Sequence, residues 1–148
     1  VAPRPSIGWL ESLPGGPASV KAAYVDTSCL LAVAFDEPAA KEWTPRLASY
    51  DVLVSANLTE AEFRAALHRE DVDGADAFLD GVRWLLPDRP LGVEIDRVLR
   101  IRYLRGADLW HLACALFLAE EPRELDFLTL DANQEEAARA LGFGVSGH

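Results

Sequence analysis

The hydrophobic residues of the chain fall into short runs that alternate with longer amphipathic segments. Short runs rich in Val, Tyr, Phe and Leu, each bounded by a charged or polar residue, predict strands. The predicted strands are AAYVD at 22–26, DVLVS at 51–55 and DFLTL at 126–130, with a short extended piece inside 89–106 and a last short strand at FGVSG, 143–147.

The segments between these runs have the length and spacing of helices. The segment ADLWHLACALFLAEE is apolar nearly all round, which predicts a central buried helix. Strands that alternate with helices imply parallel βαβ units, so we expect an α/β fold, a three-layer α/β/α sandwich with a mostly parallel central sheet. The predicted helices are 28–35 capped by Thr27 or Ser28, 38–48, 57–70, about 74 to the WLLPDRP break, an Arg-rich helix within 89–106, 107–121 and 131–143.

The composition separates an N-terminal arm at residues 1–20 from a single domain at residues 21–148. The arm, VAPRPSIGWLESLPGGPASV, is rich in Pro and Gly, which suits an irregular segment better than a packed element. We expect its apolar side chains to dock on the domain or on a neighbouring subunit; the alternative is a start-site artefact without a docking role. These side chains are Ile7, Trp9, Leu10 and Leu13.

Charge and cysteine content exclude several classes of protein. The net charge of −10 and the pI near 4.6 argue against nucleic-acid binding by the whole surface, so any such role must be local. Cys29 and Cys114 lie in apolar runs without a zinc-type spacing, and we interpret them as buried thiols. The longest apolar run, LACALFLA, is far shorter than the roughly 20 residues of a membrane span, and no signal peptide is recognisable. We therefore expect a cytoplasmic protein that does not bind membranes.

Two aspartates follow predicted strands. Asp26 interrupts the apolar stretch AAYVDTSCLLAVAF, and Asp131 follows DFLTL in the same manner. In open parallel sheets the functional crevice lies beyond the carboxyl ends of the strands, so both carboxylates are expected there. Each aspartate could instead cap the helix that follows, and Asp131 with Gln134 three residues later fits a capping arrangement well.

Two further acids lie on predicted helices. Glu60 has the spacing of a capping partner for Asn57 and of a solvated ion pair with Arg64. Glu62 shares its helix face with small and apolar residues, so its charge is expected to point inward. Asp108 is the only acid near the start of the most buried helix, where it either serves as the N-cap or projects into the same crevice.

A single pocket that collects Asp26, Glu62, Asp108 and Asp131 would have a clear chemical meaning. Clustered carboxylates repel one another unless a cation lies among them. Hard oxygen ligands without a Cys or His cluster indicate Mg²⁺ or Mn²⁺. An acidic pocket loaded with such ions attracts a phosphodiester, and in-line attack by a metal-activated water is the expected reaction.

The succession YVDTS, LTEAEFRAAL, RGADLWHLACAL and LTLDANQEEAARALGF resembles the PIN-domain ribonucleases, and within them the VapC-type toxins of bacterial toxin-antitoxin modules. The resemblance extends from about residue 21 to 145. It implies a PIN fold, metal-dependent endoribonuclease activity on RNA, homodimerisation and inhibition by a small cognate antitoxin. It also implies catalytic and metal-binding roles for the four acids. Matching small polar positions that support the acids are Thr27 or Ser28, and Thr129.

Several polar residues near these blocks have two interpretations. His111, three residues after Asp108, could act as a general base, or could hold helix and sheet together by hydrogen bonds. Asn133 could add a neutral oxygen ligand or be an exposed residue of a first helical turn. The densest basic run could guide RNA or form a solvated helix face that balances nearby acids. Its members are Arg97, Arg100, Arg102 and Arg105.

Other protein classes remain as alternatives. A receiver-like or haloacid-dehalogenase-like domain also places Asp at a strand end, but the DTS sequence lacks the second aspartate of a DxD motif and no late lysine is well placed. A non-catalytic PIN-like interaction module and a housekeeping RNA-processing nuclease of the same fold are the remaining hypotheses.

Overall fold

The computed structural model describes residues 20–145, which form one four-stranded, all-parallel sheet in the order β3-β2-β1-β4. The predicted arm at residues 1–20 lies outside these residues, apart from Val20. β1 is the first strand of the described chain and occupies an inner position, with β2 on one side and β4 on the other. The strands are β1 (Ala22–Val25), β2 (Val52–Ala56), β3 (Val82–Leu85) and β4 (Asp126–Leu128).

The inner strands are short and apolar because helices cover both faces of the sheet. All four residues of β1 are buried, as expected for a parallel sheet without a solvated face. Register is set by pairs such as Ala22 opposite Val52 and Val25 opposite Leu128. Side chains alternate across the sheet, so Tyr24 packs on one face while Val25 packs on the other.

The helices divide between the two faces. Those nearer the N-terminus cover the Val25 face, and the three later ones cover the Tyr24 face, so the architecture is the predicted three-layer α/β/α sandwich. No helix of residues 20–145 is both long and apolar enough to cross a membrane. The helices are α1 (Thr27–Ala34), α2 (Ala40–Ala48), α3 (Asn57–Arg69), α4 (Ala75–Leu79), α5 (Gly92–Ile101), α6 (Gly106–Leu118) and α7 (Ala132–Leu141), with a 3-10 turn at Pro122–Glu124 before β4.

Two predicted elements differ from the structure. The segment predicted as one helix from about residue 74 to the WLLPDRP break contains only the short helix α4, and Val82–Leu85 is the edge strand β3. The run VRWLL is too short for its periodicity to distinguish helix from strand, and pairing with β2 decides for the strand. The predicted C-terminal strand is reduced to a single parallel bridge between Gly144 and Asp126.

The strand order creates a switch point between β1 and β4. The chain adds β2 and β3 on one side of β1 and then returns to add β4 on the other side. The connections after β1 and β4 therefore leave the sheet in opposite directions, which opens a crevice at their carboxyl ends.

Candidate active site

Asp26 lies at this switch point, directly after β1, and caps α1. Its Oδ2 accepts a hydrogen bond from Ser28 Oγ at 2.7 Å and a longer one from the Ser28 backbone N–H at 3.4 Å. The residue is 7% exposed. Both roles anticipated for Asp26, a helix cap and a carboxylate at the crevice, therefore apply to the same side chain. The prediction that Thr27 or Ser28 caps this helix is wrong, because both residues lie in the first turn of α1.

Thr129 connects the end of β4 to Asp26. Its Oγ1 lies 3.2 Å from Asp26 Oδ2 and 2.7 Å from Gln134 Oε1, and it accepts from the Asp131 backbone N–H at 3.0 Å. The hydroxyl has one proton, so it donates to one of the two acceptors at a time. The supporting role expected for Thr129 thus has a geometric basis, since it links residues 103 positions apart.

Asp131 caps α7. β4 ends at Leu128, so Asp131 follows the strand by three residues rather than closing it. Its Oδ1 accepts from the Gln134 backbone N–H at 2.9 Å, as the capping interpretation predicts. The Gln134 side chain instead crosses to α6, where Nε2 donates to the Asp108 carbonyl oxygen at 3.2 Å.

Glu62 points inward from α3, while Glu60 forms the expected surface ion pair with Arg64. Glu62 Oε1 accepts from Thr27 Oγ1 at 2.9 Å and lies 3.1 Å from His111 Nε2. The hydrogen bond from His111 is the main cause that lowers the Glu62 pKa from its ordinary value; burial opposes it, and Thr27 adds to the lowering. Glu62 is therefore held as a carboxylate.

His111 joins α6 to the sheet and to α3. It is 1% exposed, with Nδ1 2.6 Å from the Tyr24 hydroxyl and Nε2 between Glu62 Oε1 and Asp26 Oδ1, the latter at 3.6 Å. Carboxylates only accept, so Nε2 carries a proton. In the neutral ring Nδ1 then accepts from Tyr24, whose oxygen also accepts from the Ala56 N–H at 3.1 Å. The geometry matches the expected helix-to-sheet hydrogen bonding.

A buried hydroxyl cluster supports the Glu62 side of the crevice. Thr27 Oγ1 lies 3.2 Å from Thr59 Oγ1, which lies 2.6 Å from Ser55 Oγ. Ser55 in turn donates to the Val25 carbonyl oxygen at 2.7 Å. The chain of contacts fixes the start of α1 relative to α3.

Asp108 lies in the first turn of α6. The N-cap position belongs to Arg105, so the capping alternative for Asp108 is wrong. Within residues 20–145, its carboxylate has no hydrogen bond or ion pair. Burial raises the Asp108 pKa, and the negative charges of Asp131, Asp26 and, more weakly, Glu62 raise it further, while His111 lowers it. The local potential at Asp108 is therefore negative and only partly compensated.

The structure brings the four predicted acids to one edge of the sheet. Contacts through Thr129, Gln134 and His111 connect them, and their charges act together on Asp108. In the described part of the chain, no three His, Cys, Asp or Glu side chains are arranged as a preformed metal site. The donors nonetheless fit a hard divalent cation, because they are carboxylate oxygens in a negative pocket whose histidine nitrogens are already engaged.

The four arginines of the basic run differ in their partners: Arg102 is paired, and the other three are not paired within residues 20–145. Arg102 makes contacts of 2.6 Å with both Glu136 and Asn133, so the Asn133 oxygen is occupied by an arginine rather than left for a ligand. Among residues 20–145, the other three arginine side chains have no hydrogen bond or ion pair and are exposed. They are Arg97, Arg100 and Arg105.

The roles of four residues that organise the crevice were not predicted from the sequence. A polar partner for Tyr24 could have been predicted, because a tyrosine inside a wholly buried strand requires a hydrogen-bond partner for its hydroxyl. Ser55 and Thr59, four residues apart across the strand-to-helix junction, carry a weaker signal. Gln134 is recognisable as part of a cap, but nothing local indicates that its side chain reaches α6.

Comparison with known proteins identifies the family. Neither the curated proteins nor the solved structures gave a significant match. The sequence profile of the PIN domain matches residues 23–140, which is most of the chain and includes the four acids and all of the sheet except Ala22, the first residue of β1. The chain therefore belongs to the PIN domain family, a family generally of nucleases.

Proposed function

We propose that the protein is a Mg²⁺- or Mn²⁺-dependent endoribonuclease whose metal ligands come from Asp26, Glu62, Asp108 and Asp131. The observation that carries the proposal is geometric: contacts through His111, Thr129 and Gln134 join the segments that bear the four acids at the carboxyl ends of β1 and β4. The charges of the other three acids raise the Asp108 pKa beyond the effect of burial, in agreement with this geometry. Such a pocket is stabilised by a divalent cation, and a cation there would attract a phosphodiester.

The protein's own residues supply orientation. Ser28 and Thr129 hold Asp26, and His111 and Thr27 hold Glu62 as a carboxylate. His111 is buried and engaged at both nitrogens, so we assign it a positioning role through Glu62. When bound, the metal would activate water and stabilise the charge that develops on the phosphate.

The proposed activity is tested by incubating the purified chain with single-stranded RNA and following internal cleavage. We expect cleavage in Mg²⁺ or Mn²⁺, loss of cleavage in EDTA, and loss in Asp26→Asn, because asparagine still caps α1 but binds a cation poorly. Asp80→Asn is the matched control, since Asp80 is exposed and precedes β3 at the opposite edge of the sheet. Cleavage that persists in EDTA, or equal activity of both variants, contradicts the proposal; an inactive wild-type chain indicates the non-catalytic interaction module.

We further propose that the nuclease is the toxin of a toxin-antitoxin pair and acts as a homodimer. The support is the order and spacing of the sequence blocks YVDTS, LTEAEFRAAL, RGADLWHLACAL and LTLDANQEEAARALGF. Expression of the wild-type chain alone should arrest growth, Asp26→Asn should not, and the product of an adjacent small gene should relieve the arrest and co-purify. Normal growth at a matched expression level indicates a housekeeping nuclease, and a monomeric mass in sedimentation contradicts the dimer.

A further inference from the structure

The segment between α5 and α6 presents an exposed aromatic side chain, Tyr103, five residues before Asp108. Residues 102–105 form neither helix nor strand, and the backbone is extended at Arg102 and Arg105. Leu104 is 7% exposed, whereas Tyr103 is 75% exposed, so the segment alternates between the core and solvent. A ring this exposed contributes little to packing among residues 20–145.

The segment is anchored at both ends. Arg102 binds Glu136 and Asn133 on α7, and Leu104 packs in the core on the Tyr24 face of the sheet. Tyr103 precedes Asp108 by five residues, which limits the distance between their Cα atoms to about 18 Å. The Tyr103 backbone therefore lies within a few nucleotides' length of Asp108, one of the proposed metal ligands.

Positive charge accompanies the ring. Arg100 and Arg105 flank Tyr103 in the chain, and in the part described here neither side chain is neutralised by an acid. In a chain with a net charge of −10, arginines that are not paired with the surrounding acids are available to bind anions. Aromatic rings interleaved with such arginines are the common elements of single-strand binding, where bases stack and phosphates are neutralised.

We propose that Tyr103 is a stacking platform for a base of single-stranded RNA and that Arg100 and Arg105 bind the flanking phosphates. The inference rests on the proposed ribonuclease function and deepens it by assigning the residues that hold the substrate. Tyr103 is a binding residue and takes no part in the chemistry.

Binding and cleavage are measured separately. A short single-stranded RNA carrying 2-aminopurine is titrated with protein in EDTA and again in Ca²⁺, and stacking is followed as quenching of the base. Tyr103→Ala should weaken binding about 5- to 100-fold and remove the quenching, whereas Tyr103→Phe should retain both. Val93→Ala is the control. Val93 is 77% exposed, about as much as Tyr103, but it lies at the start of α5, whereas Tyr103 follows the end of this helix. Arg89, shortly before this start, packs over the Phe117 ring.

The arginines have a different signature. Arg100→Ala and Arg105→Ala should each reduce the slope of log Kd against log salt by about 0.7, while Tyr103→Ala leaves the slope unchanged. Arg123→Ala is the control, because Arg123 is exposed in the 3-10 turn before β4, at the opposite edge of the sheet.

The outcomes separate this inference from the proposed function. Tyr103-dependent stacking without metal-dependent cleavage overturns the nuclease proposal alone. Metal-dependent cleavage with unchanged binding in Tyr103→Ala overturns the platform alone. Failure of the wild-type chain to bind RNA in both conditions also overturns the platform, as does conversion of a dimer to a monomer by Tyr103→Ala, which would make this surface a contact between two copies of the chain.

Discussion

Glu62 and Asp108 belong to the same acidic crevice but have opposite surroundings. Glu62 accepts hydrogen bonds from Thr27 and His111, and its pKa is lowered, chiefly by His111. Asp108 has no side-chain partner within residues 20–145, and burial and neighbouring acids raise its pKa. One half of the crevice is thus already organised for a charged ligand, whereas the other half holds repulsion that a cation would relieve.

The difference teaches where binding energy for a cation would come from. Donors fixed by hydrogen bonds need little rearrangement on binding, which favours affinity. Carboxylates that repel one another gain most when a positive charge enters. The hydrogen-bonded acid supplies orientation and the unpartnered acid supplies electrostatic attraction.

The largest expected effect is the loss of cleavage activity when Glu62, the hydrogen-bonded acid, is replaced. Glu62→Gln keeps the size of the side chain but removes its charge, and it should lower kcat/KM for RNA cleavage at least about 100-fold. Glu60→Gln, two residues away on the same helix, removes only the surface pair with Arg64 and should stay within about twofold of wild type. Equal activity of both variants in a cleavage assay would contradict the assignment of Glu62.

The next largest effect is expected when the Tyr24 hydroxyl is removed, because this hydroxyl holds His111, which in turn contacts Glu62. Tyr24→Phe deprives His111 Nδ1 and the Ala56 N–H of their partner, and should lower the free energy of unfolding by about 2 kcal/mol and activity about 10-fold. Tyr50→Phe removes a hydroxyl bonded to Asp126 at the opposite edge of the sheet and should affect stability without changing activity. Urea denaturation and cleavage rates measure the two effects; a parallel loss of activity in both variants would remove the positioning role of His111.

A smaller effect is expected on stability when a metal ion binds near Asp108, the acid without a side-chain partner within residues 20–145. Mg²⁺ or Mn²⁺ at ten times its dissociation constant should stabilise the wild-type chain by about 1.4 kcal/mol, measured as a rise of several degrees in Tm. Asp108→Asn should reduce this rise, and Asp80→Asn should not. An identical rise in all three proteins would mean that the ion binds elsewhere.

The smallest effect is a pair of opposite pH dependences in EDTA. The folded pKa of Glu62 is lowered from 4.5, so its stabilisation is present above that value and is lost as pH falls through the folded pKa. The folded pKa of Asp108 is raised from 3.8, so its charge destabilises the fold at neutral pH and the cost disappears on acidification. At pH 7, Glu62→Gln should lower and Asp108→Asn should raise the free energy of unfolding, and both differences should shrink toward acid pH. The free energies are measured by urea denaturation. If both variants changed the free energy of unfolding in the same direction, Glu62 and Asp108 would not have opposite surroundings.

Positions fixed by local pattern were accessible from the sequence. Asp26 follows a strand and precedes a helix, and the parallel topology then determines which edge of the sheet it occupies. The choice of Glu62 over Glu60 as the inward side chain follows from helix periodicity alone. The alternation of strands and helices likewise predicted the three-layer architecture, apart from β3.

Features that depend on packing between distant elements were not accessible. Gln134 reaches the Asp108 carbonyl because α6 and α7 approach each other, and no local pattern encodes that approach. The prediction that Asp108 could cap α6 is wrong because the helix begins at Gly106, two residues before Asp108. The backbone φ of Gly106 is 57°, a value that favours glycine. β3 is a strand because β2 offers it an edge, a condition that a five-residue run does not reveal.

The pairing of β1 with β4 has a consequence for biosynthesis. Asp26 leaves the ribosome about a hundred residues before Thr129 and Asp131, and it meets them only when the last strand joins the sheet. A chain synthesised only as far as α6 therefore lacks Asp131, as well as the Thr129 hydroxyl that links the end of β4 to Asp26. The proposed active site therefore cannot form during translation until β4 and the start of α7 have emerged.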